Sequence, residues 1–131
     1  LSFIGQEASP LDKAPDTLAC VESLEQVYFK AFGEYIGGGV STLRLYHALL
    51  NNKKFVLVTS PIAGDIILSP TSMNTQPSPI KNGHCGVIGQ NGKIMSNSSA
   101  TGKWEFNYDM WTWRARWVKN TYPLFLFRKV L

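Results

Sequence analysis

The hydrophobic period of the chain changes once, near residue 52, and that change limits the fold more than any other feature. Before it, in "DTLACVESLEQVYFKAF", Leu18, Val21, Leu24, Val27, Tyr28 and Ala31 recur every three or four residues. That spacing predicts an amphipathic helix from about 17 to 32, capped by Asp16 and ended at Gly33. The "GGG" at 37–39 follows a helix rather than a strand, so "YIGGGV" reads as a linker and not as a phosphate-binding loop. Ser41 then caps a second helix, "TLRLYHALLNN", with Leu43, Tyr46 and Leu50 turned inward; His47 shares this apolar face and reads as core rather than as catalytic. After residue 52 the runs "KFVLVTS" and "GDIILSP" are β-branched and aliphatic and end at Pro61 and Pro70, as strands joined by a short turn do. A polar, proline-bearing loop covers 71–82, a hairpin covers 82–97, "SSATGK" is a loop, and "PLFLFRKV" is a last strand. "MWTWRARWV" alternates as a strand would, while Thr112 offers a cap for a short helix. Two helices followed by four to six strands describe a small α+β fold, with N-terminal helices packed on one side of an antiparallel β-sheet.

The chain has 131 residues, 44% of them hydrophobic and 12% aromatic, enough to bury a real core within one domain. Residues 1–15, rich in Pro, Ser and Gly and without a period, form an N-terminal arm; residues 16–131 form the domain. No run approaches the roughly 18 apolar residues of a membrane helix. The opening "LSFIGQEASP" lacks the basic-then-apolar layout of a signal peptide, and Leu1 in place of Met points to a processed product or a domain of a longer polypeptide.

The net charge of +4 is unevenly placed. Residues 1–102 balance seven basic against seven acidic side chains, whereas Lys103, Arg114, Arg116, Lys119, Arg128 and Lys129 face only Glu105 and Asp109. Interleaved with Trp104, Trp111, Trp113 and Trp117, this basic stretch suits an anionic polymer; the plainer reading is a solvated edge beside core aromatics. No nucleic-acid module signature accompanies the charges, which favours the solvated edge and argues against nucleic acid as partner. Zinc-ligand spacing and dinucleotide fingerprints are absent from the sequence, and no metal or cofactor is expected.

Cys20 falls about four residues into the first predicted helix, where unpaired N–H groups and the helix dipole stabilise a thiolate. His84 opens a strand, and Gly86 after it leaves room on that face for a helix or a substrate backbone. If Asn91-Gly92 forms a two-residue turn, Asn97 is the same-face diagonal neighbour of His84 and can orient the imidazole. A longer turn flips the parity and nominates Ser96 instead. The same parity sends Cys85 away from His84, into the core and away from Cys20. Glu22 serves as a first-turn dipole partner or as a contact for a substrate amine, and Asp65 ties its own turn.

"DTLACVESLEQVY", "PIAGDIILSP" and "GHCGVIGQNGKIMSNSS", in that order over residues 16–98, resemble the NlpC/P60 and CHAP cysteine peptidases and amidases. The resemblance implies a papain-like fold and hydrolysis of amide bonds in peptidoglycan stem peptides, with Cys20 as nucleophile, His84 as base and Asn97 or Ser96 as the third member. It also implies an extracellular, cell-wall or virion-associated setting. Glu22, Trp104 and Trp113 are the candidates for the substrate groove. The competing expectations are a non-catalytic wall- or nucleic-acid-binding module of the same fold, and an acyltransferase using the same Cys/His pair.

Overall fold

The computed structural model describes residues 4–5, 19–98 and 100–130. The expected cap at Asp16 lies outside them, as does the expected arm apart from Ile4 and Gly5, whose Gly5 N–H donates to the Trp104 carbonyl at 2.6 Å. The elements are α1 (Cys20–Phe32), α2 (Thr42–Leu50), β1 (Phe55–Val58), β2 (Ile66–Ser69), β3 (His84–Ile88), β4 (Lys93–Asn97), β5 (Trp104–Asp109), α3 (Met110–Arg116) and β6 (Phe125–Lys129). No helix among the described residues is long and apolar enough to cross a membrane.

The six strands form one antiparallel sheet in the order β1-β6-β2-β3-β4-β5. The two strands expected to pair directly, β1 and β2, are separated by β6, which pairs with both through Phe127, opposite Leu57 on one side and Ile66 on the other. β1 and β2 therefore run in the same direction, and the last strand supplies the antiparallel partner for each. Its consecutive apolar residues fit that central position, because Leu126 and Phe127 are buried on opposite faces of the sheet.

Alternation along the strands divides the core in two. Ile66, Leu68, Val87, Met95 and Phe127 meet Val21, Leu24 and Val27 of α1 and Leu45 and Leu49 of α2. Ile67, Ile88, Ile94 and Leu126 on the opposite face meet Trp113, Trp117 and Tyr122. The helices are thus not all on one side. The undecided segment "MWTWRARWV" is mainly helix α3, started by a capping box in which Asp109 Oδ1 accepts from Thr112 N and Thr112 Oγ1 accepts from Asp109 N. In α2 the buried positions are Thr42, Leu45 and Leu49; Leu50 and His47 are exposed, so the inward face is rotated from the expected one. Ser41 caps α2 as anticipated, accepting from Arg44 N.

The glycine linker is tied down. The buried Glu25 carboxylate accepts the N–H groups of Ile36, Gly37 and Gly38 at 2.6, 2.8 and 2.5 Å, a nest of charge-assisted bonds that pins the 36–38 loop to α1. A Cβ on Gly38 would come within 2.8 Å of Leu45 Cβ, so this close passage of the loop over α2 requires glycine.

Candidate active site

Cys20 is the first residue of α1, preceded by Ala19, which makes no side-chain cap. The helix thus begins later than its periodicity indicated, and the thiol sits in the first turn rather than deeper. A bond from the Cys85 side chain holds the Cys20 thiol well below its ordinary range, against the opposing effect of burial, and the hydrogen bond and positive charge of His84 pull it in the same direction. Burial, followed by the interaction with Cys20, pushes the Cys85 thiol well up. Both cysteines are free thiols. Cys85 is buried as expected, but it lies beside Cys20 instead of being directed away from it. The reason is that α1 packs on the face of β3 to which Cys85 belongs.

The register of the hairpin decides the partner of His84. Asn91 and Gly92 do adopt the left-handed angles of a two-residue turn, with φ of 60° and 72°. The ladder closes one residue earlier on the first strand, with Gly89 N–H donating to Lys93 O at 2.6 Å and Gln90 left over as an extra residue. Gly89 permits this closure, since a Cβ there would meet Phe106 Cε1 at 2.9 Å. Val87 consequently pairs with Met95 and Ile88 with Ile94, and the parity is reversed relative to a two-residue loop. Asn97 turns to the α1 face, and Ser96 stands against His84.

His84 Nε2 and Ser96 Oγ are 2.9 Å apart, and Ser96 Oγ donates to Asn107 Oδ1 at 2.6 Å. The Asn107 amide is oriented by its Nδ2, which donates to the Asn97 carbonyl at 3.2 Å. These bonds fix the protons in sequence. Asn107 offers Ser96 an acceptor, Ser96 directs its one proton to it, and Ser96 therefore accepts from His84 Nε2–H. Nδ1 is left as the imidazole nitrogen able to take the thiol proton. Gly86 has a different role from the expected one: a Cβ there would lie 2.6 Å from Met95 O and 3.2 Å from Ser96 Cβ, so its missing side chain admits β4 rather than a substrate.

Two indoles hold the imidazole plane. His84 stacks on Trp117 (5.2 Å, 14°) and on Trp113 (5.5 Å, 27°). Trp113 Nε1 donates to Ser69 Oγ at 3.0 Å, and Trp117 Nε1 to Asn82 O at 3.1 Å. The strand entry before His84 is fixed as well: Gly83 N–H donates to Thr71 Oγ1, and Thr71 is bonded to Thr42 at the start of α2. A Cβ on Gly83 would clash with Ser69 O at 2.0 Å.

Cys20 and His84 open on a groove of about 370 Å³, whose walls include Asn97, Tyr108, Arg116 and Trp117. The three side chains expected to line it do not. Glu22, Trp104 and Trp113 are buried, at 2%, 2% and 0% exposure, the two tryptophans in opposite halves of the core. Large aromatics next to basic residues look alike in sequence whether they face a core or a groove. Asp65 ties its turn as expected, accepting from Ile62 N, and also receives two bonds from Arg128 at 2.9 Å each. No group of three or more His, Cys, Asp or Glu side chains able to hold a metal occurs among the described residues.

Asn107 was not anticipated. It lies in β5, where a register irregularity opposite Ile94 and Met95 brings it toward Ser96, and the only local signal is an asparagine inside the aromatic run "WEFNYD". The chain's match to known proteins is negative at the level of sequence: no family model matches it, and neither does any curated protein.

Proposed function

We propose that the chain is a cysteine hydrolase of papain-like type that cleaves amide bonds, with peptidoglycan stem peptides as the substrate class. The observation that carries this reading is the arrangement around one thiol. Cys20 opens a helix, is acidified by its neighbours, and meets an imidazole whose far nitrogen is engaged by Ser96, all at the wall of an open groove. The resemblance of residues 16–98 to NlpC/P60 and CHAP enzymes supports the substrate class, and an extracellular, cell-wall or virion-associated setting follows from it.

In this mechanism the Cys20 thiolate attacks the amide carbonyl, its proton having passed to His84 Nδ1. The oxyanion is assigned to the backbone N–H of Cys20 in the first turn of α1. The imidazolium then protonates the leaving amine, and neutral His84 activates the water that releases the acyl group. Ser96 and Asn107 are positioning residues: they keep Nε2 protonated and the ring aligned as charge develops on it.

The deciding experiment is product analysis on purified muropeptides. The unmodified protein should release a new amino terminus, and Cys20→Ala should abolish that release while leaving the circular dichroism spectrum unchanged. Equal cleavage by Cys20→Ala would end the proposal.

A further inference from the structure

We infer that Arg116 and Tyr108 form a subsite that reads a carboxylate on the substrate beside the scissile amide; the inference rests on the hydrolase reading of the same groove. Among the described residues lining the groove, Arg116 carries the one fixed charge, and no carboxylate faces it there. Neither salt bridge among the described residues involves it. Arg128, by contrast, is bound to Asp65.

The position of the guanidinium is set by the catalytic stack. Arg116 Cζ lies 5.3 Å from the centre of the Trp117 ring, and that same ring stacks on His84. Because Trp117 is anchored to the Asn82 carbonyl, the cation rests on a fixed platform and loses less freedom when it engages a ligand. Tyr108 contacts Trp117 edge-on at 5.2 Å and shares the groove wall. Burial pushes its phenol up, while the Arg116 charge pulls it down, so the two groups feel one another and the phenol stays a neutral donor at neutral pH. Five guanidinium N–H donors and one phenolic O–H make a surface of donors. A carboxylate, which accepts two parallel bonds from arginine, is its complement, whereas a substrate ammonium at the same place meets like charge.

The test uses N-acetylated, C-amidated alanine hexapeptides that carry one glutamate at each position in turn, each paired with its glutamine twin. They are titrated calorimetrically into the Cys20→Ala protein and separately incubated with the unmodified protein. At one register the glutamate peptide should bind roughly tenfold to hundredfold more tightly than its twin, and Arg116→Gln should erase that difference without changing binding of the twin. The absence of a glutamate preference at every register overturns the subsite, as does an equal weakening of both twins by Arg116→Gln. The two readings fail separately. Glutamate preference in the Cys20→Ala protein with no cleavage of any peptide or muropeptide by the unmodified protein removes the hydrolase and keeps the subsite. Cleavage indifferent to the glutamate removes the subsite and keeps the hydrolase.

Discussion

His84 donates from Nε2 to Ser96 Oγ across 2.9 Å, and the direction of that bond is imposed from β5, where Asn107 takes the serine's proton. The imidazole tautomer is therefore fixed by a residue that does not touch it.

Ser96 and Asn107 should behave as one unit in kinetics. Ser96→Ala is expected to lower kcat on an amide substrate roughly tenfold to hundredfold with little change in KM, because the ring loses its alignment while the groove is intact. Asn107→Ala should have a similar effect, and the double variant should be no worse than the more damaging single one. Full additivity in steady-state rates would show that the two act independently.

The two thiols make opposite demands on pH. Cys20, held low, should be alkylated by iodoacetamide at pH 6 faster than a model thiol, while Cys85 should stay unmodified in the folded protein. In Cys85→Ala the largest influence lowering the Cys20 thiol is gone, so the midpoint of its alkylation profile should move to higher pH. An unmoved midpoint would refute the contact. Linkage follows from the raised Cys85 thiol: its contribution to stability is complete below the unfolded thiol value of about 8.5 and is lost as pH rises beyond it. Urea unfolding of Cys85→Ala should accordingly decline less steeply above that pH than unfolding of the unmodified protein.

Gly86→Ala should uncouple folding from activity. The added methyl meets the Met95 carbonyl at 2.6 Å and Ser96 Cβ at 3.2 Å, so β3 and β4 must separate where His84 reaches Ser96. Overpacking of this kind costs roughly 1–3 kcal/mol, and the expected result is a folded but nearly inactive protein. Thermal denaturation together with a kcat measurement checks both halves; retention of full activity would contradict the geometry.

Asp65 and Arg128 should give an asymmetric pair of variants. The carboxylate is 1% exposed and the guanidinium side chain 31%. Arg128→Met leaves a buried anion held by the Ile62 N–H without its cation and should lower Tm by roughly 10 °C or more. Asp65→Asn frees an arginine that can turn to solvent, so its loss of Tm should be smaller. Differential scanning calorimetry decides the order, and the reverse order would mean that stranding the buried carboxylate is not the larger cost.

By itself the sequence determined the elements whose signals are local. Hydrophobic spacing specified α1 and α2, β-branched runs specified β1 and β2, and Asn91-Gly92 marked a turn, in which the structure finds both residues left-handed. Cys20 near the start of a helix and His84 at the start of a strand were legible for the same reason, since both are properties of short segments, although α1 begins at Cys20 itself rather than near residue 17. What the tertiary structure decided depends on contacts between segments. The insertion of β6 between β1 and β2 requires a strand nearly 60 residues later in the chain, and no local pattern encodes it. The choice of Ser96 over Asn97 hung on one residue of register, set by where Gly89 bonds to Lys93, and one residue reverses every side chain of a strand. The burial of Trp113, the exposure of Trp111, and the placement of Trp117 and Arg116 at the groove followed from α3 packing on the far face of the sheet, while Trp104 is buried in the other half of the core, with α1 and α2. An indole has the same composition in a core as in a groove, and only the packed neighbours distinguish them.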